Sequence, residues 1–279
     1  MKLSVGLQIY SVRDDAEKDL RGTLEKVKAM GYEGVELAGL YGHKPSEVKA
    51  MLDEIGLVPV SAHVPLEDML EDPEGVIGDY VDMGFKFIAV PHLHEEQRPG
   101  TSGFAQTIKD IESVAIVAKD LGIQMLYHNH DFEFVKVDGE YGLDILYDSI
   151  SEDLLKTEID TCWVNVAGED PVEYVKKYSG RAPVVHLKDF VMSGKEKPDQ
   201  LYVLIGTESE EKQEKKESGE EAFGFRPVGY GVQDFPPILK ASEEAGAQWV
   251  IVEQDQPALE KTSLECAQMS REYLKKIGL

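Results

Sequence analysis

The sequence has little cysteine, few positive charges for its length and no long apolar run. Its two cysteines, Cys162 and Cys266, form no CxxC pair in a chain of 279 residues. That excludes a disulfide framework and a zinc ribbon and fits a reducing compartment. Only 29 Lys and Arg stand against 53 Asp and Glu, a formal charge of −24. Nucleic-acid phosphates and anionic membrane surfaces are repelled by that balance unless a local basic patch overrides it. Every Lys or Arg run carries interleaved acids, so no such patch is expected. No apolar stretch approaches the ~20 residues that span a bilayer. The opening MKLSVGLQIY lacks the apolar stretch and small-residue cleavage site of a signal peptide and reads as a strand. A cytoplasmic location is expected. The hydrophobic fraction of 42% is enough for one sizeable core.

What is present is a repeated unit. MGYEGVELAG (30–39), IGLVPVSAH (55–63), MGFKFIAVPH (83–92), LGIQMLYHNH (121–130) and AGAQWVIVEQ (245–254) share one pattern. A helix-like segment ends at Gly, which suits a left-handed C-cap; a short apolar strand follows, closed by a polar residue. LSVGLQIY (3–10), LKTEID (155–160) and PVVHLKD (183–189) complete eight strands. Amphipathic stretches such as EKDLRGTLEKVKAM and TIKDIESVAIVAKDL lie between them. Strand–helix alternation predicts parallel pairing, and eight units in this length predict a single-domain (β/α)8 TIM barrel over 1–279. A doubly wound sheet would need a Gly-rich phosphate loop after an early strand, and GLQIYSVR is not one. The charged segment at about 192–227 interrupts the pattern and reads as a solvated loop, with a lid over the site as the alternative.

In such a barrel the C-terminal strand ends surround one site. The residues there are Gln8, Glu36, His63, His92, His94, His128, His130, Asp160, His186, Lys188 and Glu253, including six of the seven histidines. Side chains alternate along a strand, so His128 and His130 share a face, as do Glu158 and Asp160, and His186 and Lys188. If His128, Asp160, His186 and Glu253 point inward, four strands each present one ligand. Two imidazoles with two carboxylates suit Mn, Fe, Co or Zn better than Ca. Blander roles stand beside these. His92 and His94 read as rim residues. Asp160 could cap the next segment, Glu36 could pair with Lys188, and Lys188 could be a counter-ion in an acidic mouth.

Taken in order, GLQIYSVR (6–13), GYEGVEL (31–37), SAHV (61–64), YHNHDFEF (127–134), EIDTCWV with AGEDP (158–171), VHLKDF (185–190), GYGVQDF (229–235) and IVEQD (251–255) resemble the xylose isomerase-like TIM barrel superfamily, in particular its sugar phosphate isomerase/epimerase group. The resemblance implies a divalent cation (Mn, Mg, Co or Zn) held by Glu, Asp, His and Glu on strands five to eight. The last three fall on Asp160, His186 and Glu253. The fifth-strand Glu falls on His128, so either His128 substitutes as ligand or Glu133 reaches back. Gln8, Glu36, His63, His130, Glu133 and Trp163 are the candidate substrate contacts.

The resemblance further implies an isomerase or epimerase of a sugar or sugar derivative, moving a proton next to a metal-polarised carbonyl. Glu253, His128 and Lys188 are then the candidate catalytic groups. A dehydratase or lyase acting on a keto-sugar, inosose or keto-glycoside is the second enzyme reading, because the group's inosose dehydratases also carry a His-rich fifth strand. Elimination of water needs one base, one acid and a metal. A non-catalytic sugar-binding barrel is the reading from another class. The expected partner is a small sugar or polyol, with no nucleic acid or membrane, and a homo-oligomer is open.

Overall fold

The computed structural model describes residues 3–192 and 223–279. Among the described residues twelve strands run in chain order: β1 (Ser4–Gln8), β2 (Gly34–Ala38), β3 (Val58–His63), β4 (Phe87–Val90), β5 (Gln124–His128), β6 (Lys136–Val137), β7 (Glu140–Tyr141), β8 (Leu155–Asp160), β9 (Val184–Leu187), β10 (Asp189–Met192), β11 (Phe223–Arg226) and β12 (Trp249–Val252). Eight of them close a barrel in the order β1-β2-β3-β4-β5-β8-β9-β12, with β12 paired back onto β1. Neighbouring barrel strands are all parallel. These are the eight strands expected from the repeated unit, and the fold is a TIM barrel. Among the described residues no helix is long and apolar enough to cross a membrane.

The repeated glycine has the role its position predicts. Gly122 ends the helix Phe104–Leu121 at φ +86°, its N–H returning to the Ala118 and Lys119 carbonyls. A side chain would strain that left-handed turn, which aims the chain directly into β5.

The barrel interior is layered. Leu126, Val184 and Ile251 pack with Val60, Phe87 and Ala89 as an apolar floor. Two residues further along the same strand faces come His128, His186 and Glu253, all buried. The alternation that buries the floor therefore carries the polar groups up to the strand ends. One irregularity helps. Pairing between β2 and β3 shifts between Val35 and Glu36, so that Glu36 faces Ser61 rather than Val60. Val60 fills the floor while Ser61 and His63 reach the polar layer, the local re-aiming that a bulge permits.

Among the described residues two further two-stranded sheets lie outside the barrel, β6 with β7 and β10 with β11, both antiparallel. The second corrects the expected insertion at its edges, because Phe223 and Phe225 are buried strand residues rather than solvated loop. Alternating Phe223 and Phe225 supply the apolar face that a charged-loop reading overlooks. Residues 193–222 of that insertion lie outside the described residues. Asp189 anchors the return of the chain: its carboxylate accepts the N–H groups of Phe190, Gly229, Gly231 and Gln233. At Gly231 a Cβ would come within 2.3 Å of Asp189 Oδ1 and of the Phe190 carbonyl oxygen, so glycine is required there.

Candidate metal centre and active site

His128, Asp160, His186 and Glu253 lie at or beside the C-terminal ends of β5, β8, β9 and β12. Their ligand atoms lie within 4.8 Å of one another, and all four residues are buried. His128 Nε2 is 3.3 Å from Asp160 Oδ2 and 3.6 Å from Glu253 Oε2, and His186 Nδ1 is 3.1 Å from Glu253 Oε2. The structure thus brings together the four side chains singled out in the sequence.

Local bonding fixes which atom of each faces the centre. His128 Nδ1 lies 3.3 Å from the Pro91 carbonyl, which leaves Nε2 for the site. Asp160 Oδ1 accepts from the Cys162 and Trp163 amides at 2.8 and 3.3 Å and caps the helix Thr161–Val166. The capping role considered for Asp160 is therefore real and coexists with a second one, because Oδ2 is left over. Asn129 clamps the Asp160 backbone from both sides, its Oδ1 accepting from the Asp160 amide at 2.9 Å and its Nδ2 donating to the carbonyl at 3.3 Å.

The donor set fits a divalent cation. His128 Nε2 and Asp160 Oδ2 are buried and only 3.3 Å apart, yet neither makes a hydrogen bond. Two buried polar atoms held at ion-pair distance without an aligned hydrogen bond leave bonding capacity unused, which a cation between them would take up. A tetrahedral shell with bonds of about 2.0–2.1 Å has ligand–ligand edges of about 3.3–3.4 Å; three of the six separations in this set are 3.1–3.6 Å, and all lie within 4.8 Å. Glu133, the other fifth-strand candidate, is held elsewhere: its carboxylate accepts from Tyr127 Oη at 2.5 Å and from the His130 amide at 2.8 Å.

The charges around the set are compensated internally. Burial alone lowers the His128 imidazole, but contact with Asp160 and Glu253 outweighs it and raises it to about 9. Glu253 is held well below the usual carboxylate range despite burial, chiefly by the Lys188 ammonium and then by His128 and His186. Lys188 Nζ lies 3.1 Å from Glu253 Oε2 and 2.6 Å from Asp255 Oδ2. It does not pair with Glu36, so the counter-ion role falls to Glu253 and Asp255. Asp255 was missed in the sequence, although it shares a face with Glu253 two residues earlier. Burial pushes its carboxyl up to about 6 even beside Lys188.

A second polar tier lies directly beneath. Glu36, His63, Glu158 and His186 place their donor atoms within 4.8 Å of one another. Gln8 and Glu36, expected at the substrate, belong to this tier with no exposed surface. His63 lies at its edge, 2.8 Å from Glu158 Oε2. Glu158 and Ser61 were not singled out as site residues; the two-residue spacing from Asp160 was the available signal for Glu158.

Towards the mouth, His130 stacks on Phe132 with ring centroids 5.4 Å apart and leans on Trp163 at 5.1 Å. Lys188 Nζ is 5.2 Å from the ring centres of both Trp163 and Phe225. Trp163 Nε1 and His130 Nδ1 are buried without hydrogen-bond partners, so this wall offers both aromatic surface and free polar atoms. His92 bonds Arg98 at 3.3 Å and packs edge-on to His130, while His94 is exposed. Burial and then Arg98 lower His92 to about 3, as suits a neutral rim residue.

The sequence matches the family described as xylose isomerase-like TIM barrel over residues 24–277. The chain belongs to that family. Among curated proteins, it is similar to an inosose dehydratase of Lacticaseibacillus casei, at 25% identity over 90% of this chain and 87% of the relative. A crystal structure of a sugar phosphate isomerase/epimerase from Parabacteroides distasonis superposes with a TM-score of 0.76 at 21% identity, covering 100% of this chain and 96% of that one. The IOLI protein, crystallised with a zinc atom, superposes with a TM-score of 0.72 at 14% identity over 99% and 98% of the two chains. At these identities the structural likenesses speak for the fold.

Proposed function

We propose that the protein is a divalent-metal-dependent dehydratase, a lyase that removes water next to the ketone of an inosose or keto-sugar. The observation that carries this reading is the pairing at the centre of one carboxylate, Glu253, with an imidazole, His128, where a two-carboxylate arrangement would serve symmetrical epimerisation. The similarity to inosose dehydratases supports the same side. Isomerase or epimerase activity, the first expectation from the sequence, begins with the same proton abstraction but returns a proton to carbon and expels no hydroxyl.

Asp160, His186 and Glu253 would hold the cation, and His128 beside them keeps the Nε2 proton that its acid role needs. When bound, it would polarise the ketone oxygen and make the neighbouring C–H acidic. Glu253 takes that proton, and the C–H electron pair becomes the new C=C bond. The C–O bond on the next carbon breaks, and His128 gives its proton to the departing hydroxyl, which leaves as water. The product is a conjugated enone, and Glu253 must lose its proton to restart. A ligating carboxylate is a weak base, but it is fixed in place beside the acidic carbon. Lys188 keeps Glu253 ionised and oriented. Trp163 and His130 form a wall against which a sugar ring would lie.

Incubation of the purified chain with Mn²⁺ and a panel of inososes, keto-sugars and keto-glycosides tests this. Loss of the mass of one water with growth of enone absorbance is expected. Isomer formation without loss of mass would restore the isomerase reading. His128→Glu rebuilds a carboxylate pair: a dehydratase that relies on the imidazole loses activity, and an epimerase keeps or gains it.

A further inference from the structure

Beneath the cation set, one carboxylate oxygen acts as a hub. Glu36 Oε1 accepts from Gln8 Nε2 at 2.7 Å and lies 2.8 Å from His186 Nε2 and 3.1 Å from His63 Nε2. Gln8 cannot turn over, because its own Oε1 accepts from the Tyr10 amide at 2.9 Å. Its amide N–H group must therefore face Glu36. His63 Nε2 bonds Glu158 Oε2 at 2.8 Å through the same nitrogen that lies near Glu36, and Ser61 Oγ donates to Glu158 at 3.4 Å. Glu36, Glu158 and His186 have no exposed surface.

His186 spans the two tiers. Its Nδ1 faces Glu253 in the upper set and its Nε2 faces Glu36 in the lower one. A cation ligand must offer a lone pair, so using Nδ1 leaves the ring proton on Nε2. The group at 2.8 Å from that nitrogen is a carboxylate oxygen, at hydrogen-bond length though off the ideal line. The opposite tautomer would press a nitrogen lone pair against the same oxygen, an unfavourable contact in a dry interior.

We infer that Glu36 is a positioning residue for the metal centre: it selects the His186 tautomer with a free Nδ1 and fixes the ring, while Gln8 fixes Glu36. This rests on the cation reading of the upper set but on no particular reaction. The rival use of the lower tier, as a second cation site, fits less well. Its shortest contacts are 2.8 Å, between His63 and Glu158 and between His186 and Glu36. Those are hydrogen-bond lengths, shorter than the edges of about 3.3–3.4 Å in a tetrahedral shell. The Gln8 amide also donates to the Glu36 oxygen that such a cation would need.

The test is cation binding without substrate, by chelator competition with Co²⁺ or Zn²⁺ on the purified full chain, together with bound metal per chain at saturation and melting of the metal-free protein. Wild-type protein is expected to bind one cation. Glu36→Gln is expected to bind it about 10–100-fold more weakly, as removal of a partner that orients a ligating histidine typically does, and still to saturate at one. Glu158→Gln, which does not touch the Nε2 proton as closely, should weaken binding less. If Glu36→Gln does not fold, Gln8→Leu leaves the carboxylate unanchored and should shift affinity in the same direction by less. An unchanged affinity in Glu36→Gln, with only its melting altered, overturns the inference. So does saturation at two cations that falls to one in Glu36→Gln or Glu158→Gln. A wild-type chain that binds no cation sinks the reading of the upper set, and this inference with it.

Discussion

Asp160 serves two structures with its two oxygens, and two substitutions should separate them. Oδ1 caps the helix Thr161–Val166 through the Cys162 and Trp163 amides, and Oδ2 faces His128 at 3.3 Å. Asp160→Ala removes both functions. Asp160→Asn keeps a capping oxygen in the same place and replaces the anionic oxygen with an amide. Losing an N-cap side chain costs about 0.5–2 kcal/mol, and in a domain of this size each kcal/mol moves the melting temperature by about 2–4 °C. The metal-free Ala variant should therefore melt about 1–8 °C below the metal-free Asn variant. Both variants lose the same negative charge, so the difference between them isolates the cap. Both should lose cation affinity, by at least the roughly 10–100-fold that loss of an outer partner costs. The assay is differential scanning calorimetry of the metal-free proteins, followed by chelator competition. Equal melting of the two variants would refute the capping half. Wild-type cation affinity in either would refute the ligand half.

Glu253→Gln should lower turnover by about 10²–10⁴-fold, the usual cost of removing a general base, with little change in far-ultraviolet circular dichroism; near-normal turnover would remove Glu253 from the base role. The pH dependence has a definite sign. His128 is raised in the folded protein to about 9 from an ordinary value of 6.5, so its contribution to the metal-free fold is full below about pH 6.5 and is lost as pH rises through 9. Glu133 and Asp255, raised to about 7 and 6, act in the same direction at lower pH. Metal-free melting should therefore fall between pH 7 and 9. Cation affinity should rise over the same interval, because loss of the His128 proton removes a positive charge that faces the cation; a flat affinity profile would place His128 away from the cation.

Much of this molecule is readable in one dimension. The Gly-ended helices and short apolar strands recur at intervals that only a strand–helix alternation explains, and eight such units lead to the barrel. Residues two apart on a strand share a face, so His128, Asp160, His186 and Glu253 could be drawn towards one centre before any coordinate was known. Both inferences rest on local periodicity, which the sequence carries directly. Other features depend on contacts between residues far apart in the chain. Asp255 pairs with Lys188 across 67 positions, and Glu36 meets His186 across 150. No local pattern announces those distances. The depth of a residue in the barrel also depends on register, and the shift between β2 and β3 brings Ser61 and His63 into the polar layer beside Glu36. Gln8 and Glu36, read as substrate contacts from their strand-end positions, pair with each other across β1 and β2 and lie one tier lower in the structure. A strand end names the mouth of a barrel, but only closure of the sheet, with its stagger, decides which side chains line the opening and which hold it from beneath.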